Sequence, residues 1–318
     1  MTSAQTPEFG IAVPQVFLDG KADMDLVCRT LQRAEELGYH GAWVQDQVAS
    51  DVPLMDSMSL LCYAAAVTER LKLGVSVLVF PIRNAVQMAK NVGTLDHMSN
   101  GRVILGIGLG PIFAGDSYFE IFGTNRSEAL RRFNEGLTIM KSLWTQPKTN
   151  IEGEFYTLRA TGMEPKPIQK PHPPVWFGGQ NPKALHRAVR HADGYMGAGP
   201  TTTADFGKNV EHLRRFMDQE GRDPATFPLS KRVYLAVDDD AKRAKAGLDE
   251  FFQARYPWMI DSNPNFVADI CVWGSAEHVA EGLATVLENG AEMILLNPLW
   301  DFVEQIEVLA EEVIPRLK

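Results

Sequence analysis

Along the chain, short apolar runs alternate with stretches whose apolar residues recur every three to four positions. Phe9–Val13 is the first run, closed by Pro14. Met24–Leu37 follows with Val27, Leu31 and Ala34 on one face, and Gly38 stands where a helix cap is needed. Gly41–Gln45 is a second strand ending in Asp46, after which Asp56 is placed to N-cap an Ala/Leu-rich helix reaching Thr68. Leu71–Phe80 is apolar on both faces, and Asn84 caps a helix to Met98 that Asn100-Gly101 closes. Val103–Gly108, Val175–Phe177, Tyr195–Ala198, Arg232–Val237 and Met293–Leu296 are the remaining strands. The long helix Arg126–Trp144 separates the fourth from the fifth. Asp301–Leu317 reads as a final helix with Phe302, Ile306, Leu309 and Val313 on one stripe.

Eight apolar strands alternating with helices predict a parallel sheet covered by helices. For 318 residues, a closed α/β barrel of the (β/α)8 type fits better than two open sheets. No Ser/Gly/Pro-rich linker divides residues 1–318, so a single domain is expected. Three segments exceed a plain βα loop: 109–125, 145–174 and 256–271. In such barrels function gathers on loops at the C-terminal strand ends. The first segment carries Phe113, Tyr118, Phe119 and Phe122, the third Tyr256, Trp258, Met259 and Phe266. Together they suggest an apolar substrate pocket; the plainer alternative is a small satellite core beneath each loop.

Charge and composition remove several functions. A net charge of −9 argues against a nucleic-acid groove or an anionic membrane face, so any phosphate would have to be held by local backbone N–H groups. Cys28, Cys62 and Cys271 are far apart and lack a C-x-x-C, which excludes a disulfide framework and a cysteine zinc site. The seven histidines form neither H-x-H nor H-E-x-x-H, and no metal is expected. Lys72 and Lys231 stand near the starts of strands three and seven, away from the rim where a Schiff-base lysine acts. No G-x-S-x-G marks a serine nucleophile. The opening MTSAQTPEFG lacks the basic, apolar, small-residue order of a secretory leader, and no apolar run approaches ~18 residues. A cytoplasmic location is the expectation.

The most telling chemistry lies in Val175–Tyr195, VWFGGQNPKALHRAVRHADGY. A strand meets Gly178 and Gly179, and a helix with Pro182 in its first turn starts at once. That order presents backbone N–H groups to an anion with no side chain in the way, although an ordinary βα turn uses glycine too. GIGLGP at Gly106–Pro111 is not a dinucleotide fingerprint, because Pro111 occupies the third glycine position. Gly106 and Gly108 then either let something flat lie close to backbone or serve tight packing. Asp46-Gln47, at the C-terminal end of strand two, suits hydrogen bonding to a heteroaromatic ring or a substrate; the alternative is a turn aspartate bonding its own backbone.

In this order the segments resemble the bacterial-luciferase-like flavin oxidoreductase superfamily. The resemblance is carried by GYHGAWVQDQ, LKLGVSVLVFPIRNAVQMAKNVGTLDHMSNGRVILGIGLG, the long helix ending in LW, EGEFY, PKPIQKPHPPVWFGG and ADGY. It implies a luciferase-like barrel holding a reduced flavin or deazaflavin at its C-terminal mouth. The cofactor phosphate would lie on Gly178, Gly179, Asn181 and Pro182. A bulge in strand three, often with a non-prolyl cis peptide, would support the ring around Ser76-Val77, beside Gly106 and Gly108. Asp46 would touch the ring or its linker, with Gln47 next to it in the candidate catalytic pair. Deazaflavin sugar-phosphate dehydrogenases carry His directly after that Asp and Glu after the strand-four glycines. Gln47 and Pro111 stand there instead, and neither can exchange a proton, so that acid–base mechanism is not supported.

The LVFPIRNAVQMAK wording leans towards coenzyme F-420, and FMN members share much of it. With FMN, reduced flavin from a separate reductase would react with oxygen and oxygenate the substrate. With F-420, supplied by its own reductase, the step would be hydride transfer. The expected substrate is a small, fairly apolar organic molecule. A homodimer is a further expectation, the Asp56–Thr68 helix offering either an interface or core. Two alternatives use the same glycines: a phosphate-binding barrel lyase or isomerase, and a non-catalytic flavin-binding homologue.

Overall fold

The computed structural model describes residues 6–49, 51–110 and 115–317. Its first strands are β1 (Glu8–Ala12), β2 (Gly41–Val44), β3 (Lys72–Val79) and β4 (Val103–Gly108). A hairpin, β5 (Thr149–Glu152) with β6 (Thr157–Thr161), follows outside the main sheet. Then come β7 (Val175–Gly178), β8 (Gly194–Gly197), β9 (Leu229–Val237), β10 (Val272–Gly274) and β11 (Met293–Asn297). The order β1-β2-β3-β4-β7-β8-β9-β11 closes on itself through β11 and β1, every pairing parallel. This is the expected closed eight-strand (β/α)8 barrel. β10 pairs only with the outer half of β9, Val272 against Leu235 through Gly274 against Val237.

Helix starts follow the local chemistry. Side chains of Asp23, Asp56, Asn84, Asn181, Thr202, Asp240 and Ser275 each accept from a backbone N–H in the first turn of the helix that follows, satisfying a donor with no intrahelical partner. Alternation along each strand then sorts the core into two layers. Val75, Leu105, Val175, Leu229, Val233 and Leu296 face the surrounding helices, in one cluster with the Leu60, Leu61 and Ala64 face of helix Ser57–Val67. Trp43, Ile104, Trp176, Met196, Met293 and Leu295 fill the barrel interior.

Two departures from the sequence expectations have plain causes. β9 begins at Leu229 rather than Arg232, because Ser230, Lys231 and Arg232 are polar yet buried. The last helix is α-helical only over Phe302–Val308, then widens at Leu309–Val313 and tightens at Ile314–Leu317, where Pro315 has no N–H for the regular ladder. Among the described residues, aromatics of the insertions take part in satellite cores. Phe119 is buried with Val79, Ile82 and Ala129, and Phe266 with Phe252, Leu248 and Tyr234. Phe113 lies outside the described residues.

The N-terminal end of the barrel is held by polar bonds. Arg102, just before β4, donates to the carbonyls of Ser99 (2.6 Å), Leu71 (2.8 Å), Thr68 (2.8 Å) and Ala65 (3.1 Å). Replacing it with methionine strands those buried acceptors. Arg102→Met is expected to cost about 3 kcal/mol by urea unfolding, while cofactor affinity stays unchanged because the substitution sits at the end away from the C-terminal mouth.

Candidate active site

Above the apolar plug, where Trp43 and Trp176 lie 5.5 Å apart, the C-terminal mouth opens on an irregular segment of β3. Pairing with β4 slips between Val75 and Leu78, and the Ser76-Val77 peptide is cis. The bulge and the cis peptide thus stand where the resemblance placed them. Val77 turns inward onto the plug. A Cβ on Gly106 would meet Val75 O at 2.1 Å, and one on Gly108 would meet Val77 Cγ2 at 2.8 Å. Both glycines therefore make room for the bulge, as tight packing requires. They serve the floor through Val77 rather than by leaving an open slot.

Asp46 does not face an open site either. Its side chain is 1% exposed. One oxygen accepts from Ser57 Oγ (2.8 Å) and Arg83 Nη2 (2.6 Å), the other from Val79 N–H (2.8 Å). Three donors thus occupy its two oxygens. It ties the end of β2 to the segment just past the bulge, which makes it a positioning residue. Gln47 follows it, half-buried at the rim. Gln15, which sequence reasoning missed, braces the same strand end from the segment after β1: Nε2 donates to Gln45 O and Met55 O, and Oε1 accepts from Gln45 N–H. Burial raises the Tyr118 phenol above its usual range, and the Asp46 charge adds to this, so the first insertion lies over this corner. Pro111 falls outside the described residues.

Across the mouth, β7 ends at Gly178 and the chain turns through Gly179 with φ at 151°, a region that favours glycine. A Cβ there would lie 2.8 Å from Ala184 Cβ. Asn181 Oδ1 caps the helix Pro182–His191 by accepting from Ala184 N–H (2.9 Å), so this side chain works as a cap and not as a free ligand group. Pro182 has no N–H to give. The donors that remain for an anion are the backbone N–H groups of Gln180, Asn181 and Lys183, with which no described residue is hydrogen-bonded. Tyr195 Oη donates to Gly179 O (2.8 Å) and fixes the turn from behind. The turn and the bulge are neighbours: a Cβ on Gly178 would sit 3.1 Å from Val77 Cγ2.

Lys231 supports the same corner from outside the barrel. Its Nζ donates to Thr201 O (2.7 Å), and Gln180 Nε2 donates to Thr201 Oγ1. Burial lowers its pKa from 10.5 to about 8. Between those values the unfolded chain binds the proton and the folded chain does not, so this group makes stability rise with pH from about 8 to 10.5. The wild-type chain is expected to gain stability relative to Lys231→Met over that window, read from urea midpoints at several pH values.

The remaining polar layer escaped the sequence reading. Ser230, Arg232 and Tyr234 share the inward face of β9, with Asn297 on the neighbouring β11 and Gln45 at the end of β2 across the mouth. Arg232 reaches Ser76 Oγ through Nη2, and Arg255, at the end of helix Ala241–Arg255, points Nη2 at Gln45 Oε1 (3.5 Å). The signal available was a buried strand with polar side chains at alternate positions. Among the described residues, no group of three or more His, Cys, Asp or Glu could hold a metal ion. No described helix is long and apolar enough to cross a membrane.

A parallel eight-strand barrel whose mouth joins a bulged floor to a glycine turn before a helix defines a cofactor-dependent barrel enzyme. The chain belongs to the luciferase-like monooxygenase family, whose family model matches residues 8–293. It is therefore a luciferase-like oxidoreductase of the class that uses reduced flavin or coenzyme F-420. One relative, the FMNH2-dependent dimethylsulfone monooxygenase of Pseudomonas putida, is 24% identical over 97% of this chain and 92% of its own length. Another, the F420-dependent glucose-6-phosphate dehydrogenase of Kineococcus radiotolerans, is 28% identical over 67% of this chain and 64% of its own. Among solved structures, monooxygenase RslO1 from Streptomyces bottropensis superposes with a TM-score of 0.83 at 21% identity, over 98% of this chain and all of its own.

Proposed function

We propose that the chain binds reduced FMN and oxygenates a small organic substrate. The observation that carries the reading is the direct packing of the glycine turn on the bulge, Gly178 against Val77. It gives one ligand with a phosphate tail and a flat ring both of its supports on one side of the mouth. In this reading the N–H groups of Gln180, Asn181 and Lys183 hold the phosphate, helped by the positive end of the helix. Val77 supports one ring face, and the Asp46 bonds keep that support in place. The Gln45 and Gln47 amides can bond the polar ring edge without changing charge. Reduced flavin, when bound there, would supply the two electrons needed for one atom of dioxygen to enter the substrate and the other, with two protons, to leave as water. The satellite cores of the two insertions keep bulk water off the mouth.

The choice of FMN over F-420 rests on two supports. The FMNH2-dependent relative aligns over 97% of the chain, the F420-dependent one over 67%. Gln47 also offers no proton for a hydride-transfer step. The F-420 reading stays as the second, favoured by the LVFPIRNAVQMAK wording. Since the sequence carries no nicotinamide fingerprint, the reduced cofactor is supplied by a separate reductase in either reading.

Anaerobic fluorescence titration with reduced FMN, oxidised FMN and F-420 tests this. The expected result is micromolar or tighter binding of reduced FMN, at least tenfold tighter than F-420. The reverse order would transfer the site to F-420, and binding of none would end the cofactor reading.

A further inference from the structure

Two guanidinium groups are buried at the barrel mouth without an anion to face. Arg232 and Arg255 are each 4% exposed. Arg232 spends Nη2 on Ser76 Oγ, a neutral acceptor, and Arg255 directs Nη2 at Gln45 Oε1, another neutral one. Arg232 Nε and Arg255 Nε and Nη1 are buried with no hydrogen-bond partner among the described residues. Asn297 beside them uses Nδ2 on Pro298 O, leaving Oδ1 without a donor. The titratable groups that act on Arg232 are Tyr234, Tyr256 and Arg255, and no carboxylate is among them. Arg255 stacks over the Tyr256 ring at 4.6 Å, which fixes the plane of its fork.

Burying one cation without a counter-charge costs several kcal/mol, and placing a second beside it adds repulsion. A fold retains such a pair when something else brings the negative charge. Unused N–H groups of two guanidinium forks suit a planar or tetrahedral oxyanion, which they grip in a bidentate manner. We infer that Arg232 and Arg255 form an oxyanion subsite that holds the head group of an anionic substrate, a carboxylate or sulfonate on a short apolar body. The inference rests on the cofactor reading of the mouth above. It also revises the expected substrate from fairly apolar to amphiphilic. Arg232 already bonds Ser76 at the bulge, so the head group would be held beside the ring floor. Asn297 Oδ1 would take a donor from a bound water or from the substrate.

The probes are hexane-1-sulfonate, hexanoate and hexan-1-ol, titrated by calorimetry into the full chain, in buffer free of phosphate and sulfate. The titrations are run with and without saturating reduced FMN under anaerobic conditions. At least one anion is expected to bind tenfold or more tightly than the alcohol. Arg255→Gln and Arg232→Gln should each weaken that anion at least tenfold while leaving hexan-1-ol affinity within twofold, and Arg255→Gln, which does not touch the bulge, should leave reduced-FMN affinity within twofold as well. Arg255 sits on an inserted helix, so its variant keeps the test intact if Arg232→Gln loses its circular dichroism signature. Equal binding of alcohol and anions by the wild-type chain would overturn the subsite. So would variants that lose reduced FMN while keeping the anion, since the charges would then serve the ring. Failure of the cofactor reading shows separately, as anion selectivity in a chain that binds no flavin and no F-420.

Discussion

Leucine at Gly179 is expected to weaken cofactor binding at least a hundredfold while the far-UV circular dichroism of the barrel is retained. Two independent obstacles produce this. The backbone there has φ of 151°, which an L side chain adopts at a cost of about 1–3 kcal/mol. A Cβ would also stand 2.8 Å from Ala184 Cβ, inside contact distance of the first helical turn. The turn escapes only by moving away from the helix, and that carries the N–H groups of Gln180 and Asn181 out of register with Lys183. Fluorescence titration with reduced FMN and F-420 reads the loss. Wild-type affinity in Gly179→Leu would remove the phosphate from this turn.

Asp46→Ala is expected to destabilise the chain by about 3–5 kcal/mol, the usual penalty for breaking a buried ion pair from one side. Arg83 is 17% exposed on its side chain and would lose its carboxylate, while Val79 N–H and Ser57 Oγ would lose acceptors. Asp46→Asn keeps the shape but sets an amide against the guanidinium, so it should recover less than half of the loss. Urea unfolding measures both variants. A change under 1 kcal/mol in Asp46→Ala would mean the mouth is held by other bonds. Cofactor affinity should fall in parallel, because Val79 follows the bulge directly.

The barrel was legible because its causes are local. Period-two and period-3.6 patterns mark the strands and helices, and Asp56 and Asn84 announce their helices as caps. The double glycine was legible for the same reason, since it sits in one short word, whereas the Ser76-Val77 bulge was expected only from the family resemblance, local pattern showing no more than an apolar strand. Asp46 was located, but its partners were not. Its partners Ser57, Val79 and Arg83 lie 11, 33 and 37 residues away, and only the closed fold brings them to it. The two arginines were missed on similar grounds. Arg232 reads as a polar strand start until its neighbours are known to be buried. Arg255 reads as the last residue of a surface helix until that helix is seen to return over the mouth.

β9 runs nine residues, and only its first part belongs to the closed barrel. The rest continues past the rim, pairs with β10 and carries the helix that delivers Arg255. The proposed phosphate anchor and ring floor, by contrast, take their backbone from β3, β4 and β7. The two duties therefore hang on different parts of the chain. Residues 238–271 could be exchanged for a segment of another length or charge without disturbing the anchor. A scaffold arranged this way can change what it acts on while keeping what it acts with.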